Sequence, residues 1–440
     1  MNNFDLIIIG FGKGGKTLAK YAATQGQSVA VVEQSQKMYG GTCINIGCIP
    51  SKTLVHDGVL GKQFSDAIQR KFNVVSALNS KNYHNLADEE NITIFDNKAQ
   101  FVSNNEIALY DKDGNHQQTI IGDHIVINTG ATPVIPQIKG IESSQHIYDS
   151  TGIMNLTKQP EQLVIIGAGY IALEFASIIA NFGTQVTVLN RHESILPNED
   201  AEIVQAIEED LDDNWINIVH NVETTNFTDN DQGVTVSTTK GDFHADAVLV
   251  ATGRQPNTDL NLEQTDVQLG SHGEIKVNEH LRTDVPHIFA LGDVKGGPQF
   301  TYVSLDDFRI VRDQLFDTGK RTTDNRGAIP YTMFIDPPLS RVGLTAEQAR
   351  EQGYEILENR LPVKAIPRHK INNDARGLFK VVANKETGHI LGASLYGLQS
   401  EELINMVKLA IDQNLTYDVL RDNIYTHPTM IESFNDLFNL

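Results

Sequence analysis

The chain has 440 residues, enough for about three domains with sizeable cores. It is 40% hydrophobic and 21% charged, as an ordinary globular protein is, and its formal net charge of −21 argues against a nucleic-acid partner or an anionic membrane surface. The longest apolar run near the start, Leu6 to Ile9, is too short for a signal segment or a membrane span, which together with a count of two cysteines points to the cytoplasm.

Residues 6–34 read as strand, glycine turn, helix and strand. Leu6 to Ile9 is a continuous apolar run, as in a strand buried on both faces, and Gly10, Gly12 and Gly15 follow at once in the pattern G-x-G-x-x-G. Thr17 to Gln25 is helical in character, Gly26 stops it, and Ser28 to Val32 makes a second strand ended by Glu33. Strand, glycines, helix and terminal acid together form a dinucleotide fingerprint: the glycines let the backbone approach a pyrophosphate, and Glu33 can accept from ribose hydroxyls.

The next stretch, Gly40-Gly-Thr-Cys43-Ile-Asn-Ile-Gly47-Cys48-Ile-Pro50-Ser-Lys52, holds both cysteines, five positions apart. A regular helix would set them roughly 8–9 Å apart at Cα, whereas a disulfide tolerates no more than about 7 Å. If they bond, the chain between them departs from regular helix, with Gly47 supplying backbone freedom. Pro50 suits the first turn of a helix, so Cys48 is expected at a helix N-terminus, where the dipole favours a thiolate. Unrelated buried thiols, a metal site and a structural disulfide are the alternatives; two thiolates do not fill a tetrahedral shell, and the flanking residues favour a redox-active pair.

The first pattern recurs 157 positions on, with Leu163 where Leu6 stood. Gly167, Gly169 and Gly183 match Gly10, Gly12 and Gly26, Ala172 replaces the third glycine, and Asn190 falls where Glu33 stood. Two such units imply two dinucleotides. The carboxylate of the first suits a free ribose diol, hence FAD; the second offers Asn190, Arg191 and His192 with no acid to repel a 2′-phosphate, which favours NADPH over NADH. Asn91 to Ile127 looks like an antiparallel strand insertion, closing in a strand and a tight turn at Thr129-Gly130, and Ala247–Thr252 with Gly253 closes the second unit in parallel fashion. Ile288–Ala290 runs into Gly292-Asp293, a carboxylate at the ligand-binding end of a strand and a candidate for a flavin ribityl hydroxyl. A helix follows from about Thr301 to Phe316. Beyond Ala328, with Ile335-Asp-Pro-Pro338 as an apparent boundary, we expect an α+β domain of about 110 residues: a helix near Ala346–Gln352, strands at Leu378–Ala383 and Ile390–Leu395, and a helix at Glu401–Gln413. It ends in Thr426-His427-Pro-Thr-Met-Ile-Glu432, a base the dithiol would need.

With these residues assembled, nearly the whole chain resembles the FAD-dependent pyridine nucleotide–disulfide oxidoreductases, the group of lipoamide dehydrogenase, glutathione reductase and mercuric reductase. The resemblance implies an α/β architecture of two Rossmann-like dinucleotide-binding domains and a C-terminal α+β dimerisation domain, divided as 1–149 and 270–327 for FAD, 150–269 for NAD(P)H and 328–440 for dimerisation. It implies a Cys43–Cys48 redox disulfide, with Cys48 nearest the flavin and Cys43 attacking substrate. Lys52 and Glu174 would pair beside the flavin, and Tyr170 would cover it until nicotinamide enters. His427, oriented by Glu432, would act as acid/base on the other subunit of a homodimer, with a cis bond to Pro428. Gly41, Thr42, Thr129 and Gly130 join the expected FAD contacts, and Ile171 and Gly253 those of NAD(P)H. No metal is expected.

Departures narrow the group. Residues 428–440 lack the C-terminal cysteines of mercuric reductases and large thioredoxin reductases, and Asn190 stands where lipoamide dehydrogenases usually have an acid. Pro197 falls where glutathione reductases place their second phosphate-binding arginine, which weakens the NADPH preference. The stretches Phe11–Ala19, Met38–Pro50, Pro298–Phe308 and Asn372–Phe379 look most like the bacterial hypothiocyanous acid and reactive-chlorine resistance reductases, so a small oxidant is the expected substrate. The rivals are a glutathione- or lipoamide-type disulfide reductase and a copper- or mercury-binding redox protein.

Overall fold

A computed structural model describes residues 2–440, which group into two compact units. The first comprises residues up to Thr53, Ile68–Val134 and Gly253–Arg326; the second comprises Leu54–Ala67, Ile135–Thr252 and Gly327–Leu440.

The first unit is built on a sheet in the order Ile92–Phe95, Val29–Val32, Asn2–Ile9, His116–Ile127, Glu106–Tyr110, Lys98–Phe101, with Ile288–Ala290 also paired to His116–Ile127. Leu6 to Ile9 are buried on both faces because successive side chains point to opposite sides. Leu6 and Ile8 join Leu18, Ala22, Phe308 and Val311 in one core, and Ile7 and Ile9 join Ile107, Ile125 and Ile288 in the other. The first core is covered by helices Lys13–Thr24 and Thr301–Phe316. Helix Lys13–Thr24 starts four residues before the expected Thr17 and is followed by Gly26 at φ +82°. The expected antiparallel insertion holds only in part. Ile92–Phe95 is a parallel edge strand beside Val29–Val32, and the twelve-residue strand His116–Ile127 pairs antiparallel with Glu106–Tyr110 and parallel with Asn2–Ile9. That strand outruns its hairpin partner, so its last residues, Ile125–Ile127, are free to pair with buried parallel neighbours.

The second unit repeats the plan. Its parallel sheet runs Ile216–Val219, Gln185–Leu189, Gln162–Ile166, Ala247–Val250, Ile147–Tyr148. The register is the same to the residue: Ile9 faces Val32 and Ile127, and Ile166 faces Leu189 and Val250. Helix Tyr170–Asn181 is followed by Gly183 at φ +98°. The C-terminal part is a five-stranded antiparallel sheet, Tyr331–Met333, Leu339–Gly343, Ile390–Tyr396, Leu378–Asn384, Ile356–Pro362, with helix Ser400–Asp412 packed on it. Two expected strands and both expected helices are in place within a few residues, and three further strands are added. Asp336-Pro-Pro338 is no boundary: it is the turn between the first two strands of this sheet, with a cis Asp336–Pro337 bond. Among the described residues no helix is long and apolar enough to cross a membrane.

Candidate active site

In the first unit the glycine turn is fixed by a buried amide. Asn128 accepts from the N–H of Gly15 (2.9 Å) and donates to the carbonyl of Leu291 (2.9 Å), while Ser304 Oγ accepts from Gly14 N (3.2 Å). A Cβ on Gly10, at φ +101°, would lie 2.4 Å from the Asn128 carbonyl oxygen, and one on Gly12 2.6 Å from its side-chain oxygen. Gly41, at φ +77°, lays the Gly40–Thr42 loop against the same turn, its Cβ position 2.7 Å from Gly12 Cα. Close approach demands glycine at all three positions, and at Gly10 and Gly41 the left-handed backbone demands it as well.

Glu33 ends its strand with Oε2 accepting from Phe11 N (3.2 Å) and Oε1 from Ser35 N (3.1 Å); burial pushes its carboxyl above the usual range. Asp293 lies in the turn Gly292–Lys295, and burial pushes its carboxyl up as well, opposed by the Arg254 guanidinium. Beneath it, the fully buried Asp307 accepts from Gly292 N (2.9 Å) and pairs with Arg326 (2.6 Å) and Lys295 (3.4 Å). Thr129 Oγ1 donates to Asn257 O (2.7 Å), and Gly130 takes φ +72°.

Both cysteines are free thiols. Thr42–Asn45 forms one helical turn, the chain breaks at Ile46 and Gly47, and helix Cys48–Val59 begins at the second cysteine. The break is the one that a bonded pair would need, and Cys48 stands at the helix start expected from Pro50. The role of Gly47 is not: it is absent from the left-handed positions, which are Gly40 (φ +100°) and Gly41, and what Gly47 provides is room, because its Cβ would meet Thr42 O at 3.0 Å. Cys48 Sγ lies 3.5 Å from the hydroxyl of Thr301, first residue of helix Thr301–Phe316, so two helix N-termini meet at the pair. The hydrogen bond to Cys48 and burial push the Cys43 thiol well up; Thr301 and Lys16 oppose the rise. Lys52 lies one turn beyond Cys48 on the same helix.

In the second unit Gly167, at φ +106°, repeats the close approach of Gly10, with its Cβ position 2.5 Å from Ala251 O. Gly169 precedes helix Tyr170–Asn181, where a Cβ would meet no protein atom within 4 Å. Tyr170 and Ile171 are the first two residues of that helix. The Tyr170 hydroxyl donates to Glu199 Oε1 (2.6 Å), and burial with Glu199 pushes it up to about 12. Tyr331 donates to the same oxygen, and Arg341 stands 3.5 Å from Oε2. Glu174 accepts from Phe334 N (2.8 Å). Asn190 is buried and donates to Ser194 O (3.0 Å), whereas Arg191 is exposed and donates to His192 (3.0 Å). Gly253, expected with the second nucleotide, falls in the first unit, its carbonyl accepting from Val134 N (2.9 Å). His427 Nδ1 lies 2.7 Å from Glu432 Oε2, next to a cis bond to Pro428, with its side chain 73% exposed. Sequence reasoning missed Lys16, Asn128, Glu199, Ser304 and Asp307, and read Thr301 only as a helix start. Only Asn128 carried a signal, an amide at the end of an otherwise apolar strand.

Residues 4–307 match the pyridine nucleotide-disulphide oxidoreductase family, and residues 329–438 match that family's dimerisation domain. The probable pyridine nucleotide-disulfide oxidoreductase RclA of Escherichia coli (strain K12) is 49% identical over the whole of both chains. A mercuric reductase of Staphylococcus aureus is 34% identical over 98% of this chain and 81% of its own. The solved HOCl-induced flavoprotein disulfide reductase RclA from E. coli superposes with a TM-score of 0.96 at 48% identity, covering 99% of each chain, and its Cu(II) complex with a TM-score of 0.97 at 49% identity, covering 100% of this chain and 99% of that one. The chain is an oxidoreductase and belongs to the pyridine nucleotide-disulphide oxidoreductase family.

Proposed function

We propose that this enzyme is a homodimeric, cytoplasmic flavoprotein reductase that uses NADPH, FAD and the Cys43–Cys48 pair to reduce hypothiocyanous acid to thiocyanate. The observation that carries the redox reading is the thiol pair set where two helices begin, each contributing a partial positive charge that favours a thiolate.

The residues present fit a bound FAD. Gly130 is cradle-like: at φ +72° its Cβ position meets only Thr42 Oγ1, at 4.0 Å. Gly10, Gly12, Gly15, Gly41 and Thr42 would hold the pyrophosphate, Glu33 the adenosine ribose, Asp293 and Gly292 the ribityl chain, and Thr129, Gly130 and Lys52 the ring. FAD supplies the two-electron link between the pyridine nucleotide and the disulfide. Gly167, Gly169, Tyr170, Ile171, Asn190, Arg191 and Gly253 would serve the nicotinamide nucleotide. The exposed Arg191 cation beside a strand end without an acid supports NADPH.

Cys43 thiolate attacks the sulfur of hypothiocyanous acid, forming a Cys43 sulfenyl thiocyanate and expelling hydroxide, which leaves as water with a proton from His427 of the other subunit. Cys48 thiolate then attacks Cys43 Sγ, closing the disulfide and releasing thiocyanate. The sum is dithiol plus oxidant giving disulfide, thiocyanate, water and one proton. Glu432 orients His427 through its Nδ1.

Stopped-flow oxidation of NADPH, and separately NADH, tests this with hypothiocyanous acid, oxidised glutathione or lipoamide. Fast turnover with hypothiocyanous acid that vanishes in Cys43→Ser is expected; fast turnover only with a bulky disulfide overturns the substrate. A second reading, in which the same thiols hold copper, draws on the Cu(II) complex of the E. coli relative. Stoichiometric metal retention without nucleotide oxidation distinguishes it.

A further inference from the structure

We propose that Lys16, whose ammonium is seated against the Gly40 carbonyl three residues before Cys43, is a positioning residue that favours the attacking thiolate over the thiol. Its Nζ donates to Gly40 O (3.3 Å) and to the side-chain oxygen of Asn82. Both partners are neutral, and among the described residues no carboxylate stands within ion-pair distance of it. A partly buried ammonium without a counter-ion is costly, and such groups rarely persist without a use.

The cation acts on the thiol. Burial and the like charge of Lys13 push the Lys16 ammonium down to about 8, and Cys43 works against that fall. From the other side, Cys48 and burial push the Cys43 thiol up, while Thr301 and Lys16 pull it down. Tyr302, a further titratable group by the pair, is held up by burial and by Cys48 and stays neutral. Below about pH 8, Lys16 therefore places a positive charge where it favours the Cys43 thiolate. It lacks a counter-ion while Cys43 is a thiol and gains one when the proton leaves. The interaction favours the thiolate over the thiol, so at a given pH a larger fraction of Cys43 is in the nucleophilic form.

This inference rests on Cys43 as the attacking thiol, but its test needs no oxidant. The chain has two cysteines, so Cys48→Ser leaves Cys43 as the sole thiol of the full-length, FAD-loaded protein. Its alkylation by iodoacetamide is followed from about pH 6 to about pH 10, a range that brackets an ordinary thiol. Adding Lys16→Met is expected to slow alkylation near neutral pH by roughly three- to tenfold and to move the midpoint up. Lys16→Arg is expected to restore the parent profile, and Asn82→Ala, which removes a partner but no charge, to stay within about twofold of it. If Lys16→Met does not fold, Lys16→Gln gives the same reading. An unchanged midpoint in the uncharged variant overturns the inference, and so does an Asn82→Ala profile equal to that of Lys16→Met, because Lys16 would then only brace the Gly40 loop. Loss of hypothiocyanous acid turnover with the alkylation shift intact sinks the substrate and leaves Lys16 standing.

Discussion

Asn128 ties three segments of the first unit together, and its replacement by leucine isolates that role. The two side chains share the same branched outline, so no cavity opens and both hydrogen bonds are lost, while the bulkier methyl groups add crowding against Gly12 and Gly15. Gly15 N loses its acceptor and Leu291 O its donor, each at 2.9 Å. Orphaning a buried polar group costs about 1–3 kcal/mol, so the pair costs about 2–6 kcal/mol, against a typical domain stability of about 5–15 kcal/mol. Asn128→Asp is the informative partner. One carboxylate oxygen still accepts from Gly15 N, but the other confronts the Leu291 carbonyl, so this variant keeps one bond and adds a buried charge. Urea unfolding of the FAD-loaded proteins, followed by flavin fluorescence, should show both variants releasing flavin at lower urea than the parent. A leucine variant within about 0.5 kcal/mol of the parent would refute the view that this amide holds the glycine turn in shape.

Three further outcomes follow from particular contacts. Gly41→Ala forces a side chain into a left-handed backbone at about 1–2 kcal/mol and sets its Cβ 2.7 Å from Gly12 Cα; the flavin-to-protein absorbance ratio of the purified variant should fall at least about tenfold, and a normal ratio would contradict the close-approach argument. Arg191→Ala should raise the KM for NADPH by roughly ten- to a hundredfold, the value of a charge-assisted hydrogen bond, and leave the KM for NADH unchanged; equal effects on both would remove Arg191 from phosphate recognition. Burial lowers Lys16 from 10.5 to about 8, so between these values the unfolded chain binds more protons than the folded one and the wild type gains stability as pH rises. Its unfolding midpoint relative to Lys16→Met should therefore climb between pH 8 and pH 10.5, and a flat difference would show the lysine to be unperturbed.

What could be read from the sequence was what depends on neighbours along the chain. Leu6–Ile9 and Leu163–Ile166 are buried on both faces, so each is an unbroken apolar run, and Gly26 and Gly183 end their helices in left-handed conformations that glycine adopts freely. Pro50 likewise marks the helix start at Cys48. What escaped is long-range or lacks periodicity. Asn128 meets Gly15 across 113 positions and Ser304 meets Gly14 across 290, separations for which a single chain gives no local sign. Ile356–Pro362 is an edge strand with charged residues Glu358 and Arg360 among partly buried ones, so no clean alternation marks it. Tyr331–Met333 has three residues, too few for any pattern, and the Pro-Pro turn after it looks like a domain boundary when its antiparallel partner Leu339–Gly343 is out of view.

The two nucleotide folds differ by chemistry and not by geometry. Because the strand registers coincide to the residue, Glu33 and Asn190 occupy equivalent ends of equivalent strands. In the first fold the carboxylate is held by two backbone N–H donors and retains acceptor capacity for ribose hydroxyls. In the second the amide is turned inward, donating to Ser194 O and accepting from His192 N (3.2 Å), and the next residue, Arg191, carries the charge at the surface. A ribose 2′-phosphate near Glu33 would meet a carboxylate in a poorly solvated site, where like charges repel most strongly. Near Asn190 it would meet no negative group at the equivalent position, and a guanidinium suited to phosphate lies within one residue. One fold used twice is thus expected to distinguish its two nucleotides at this strand end, while the duplication keeps the strand register and the first two glycines of the turn and puts Ala172 in place of the third.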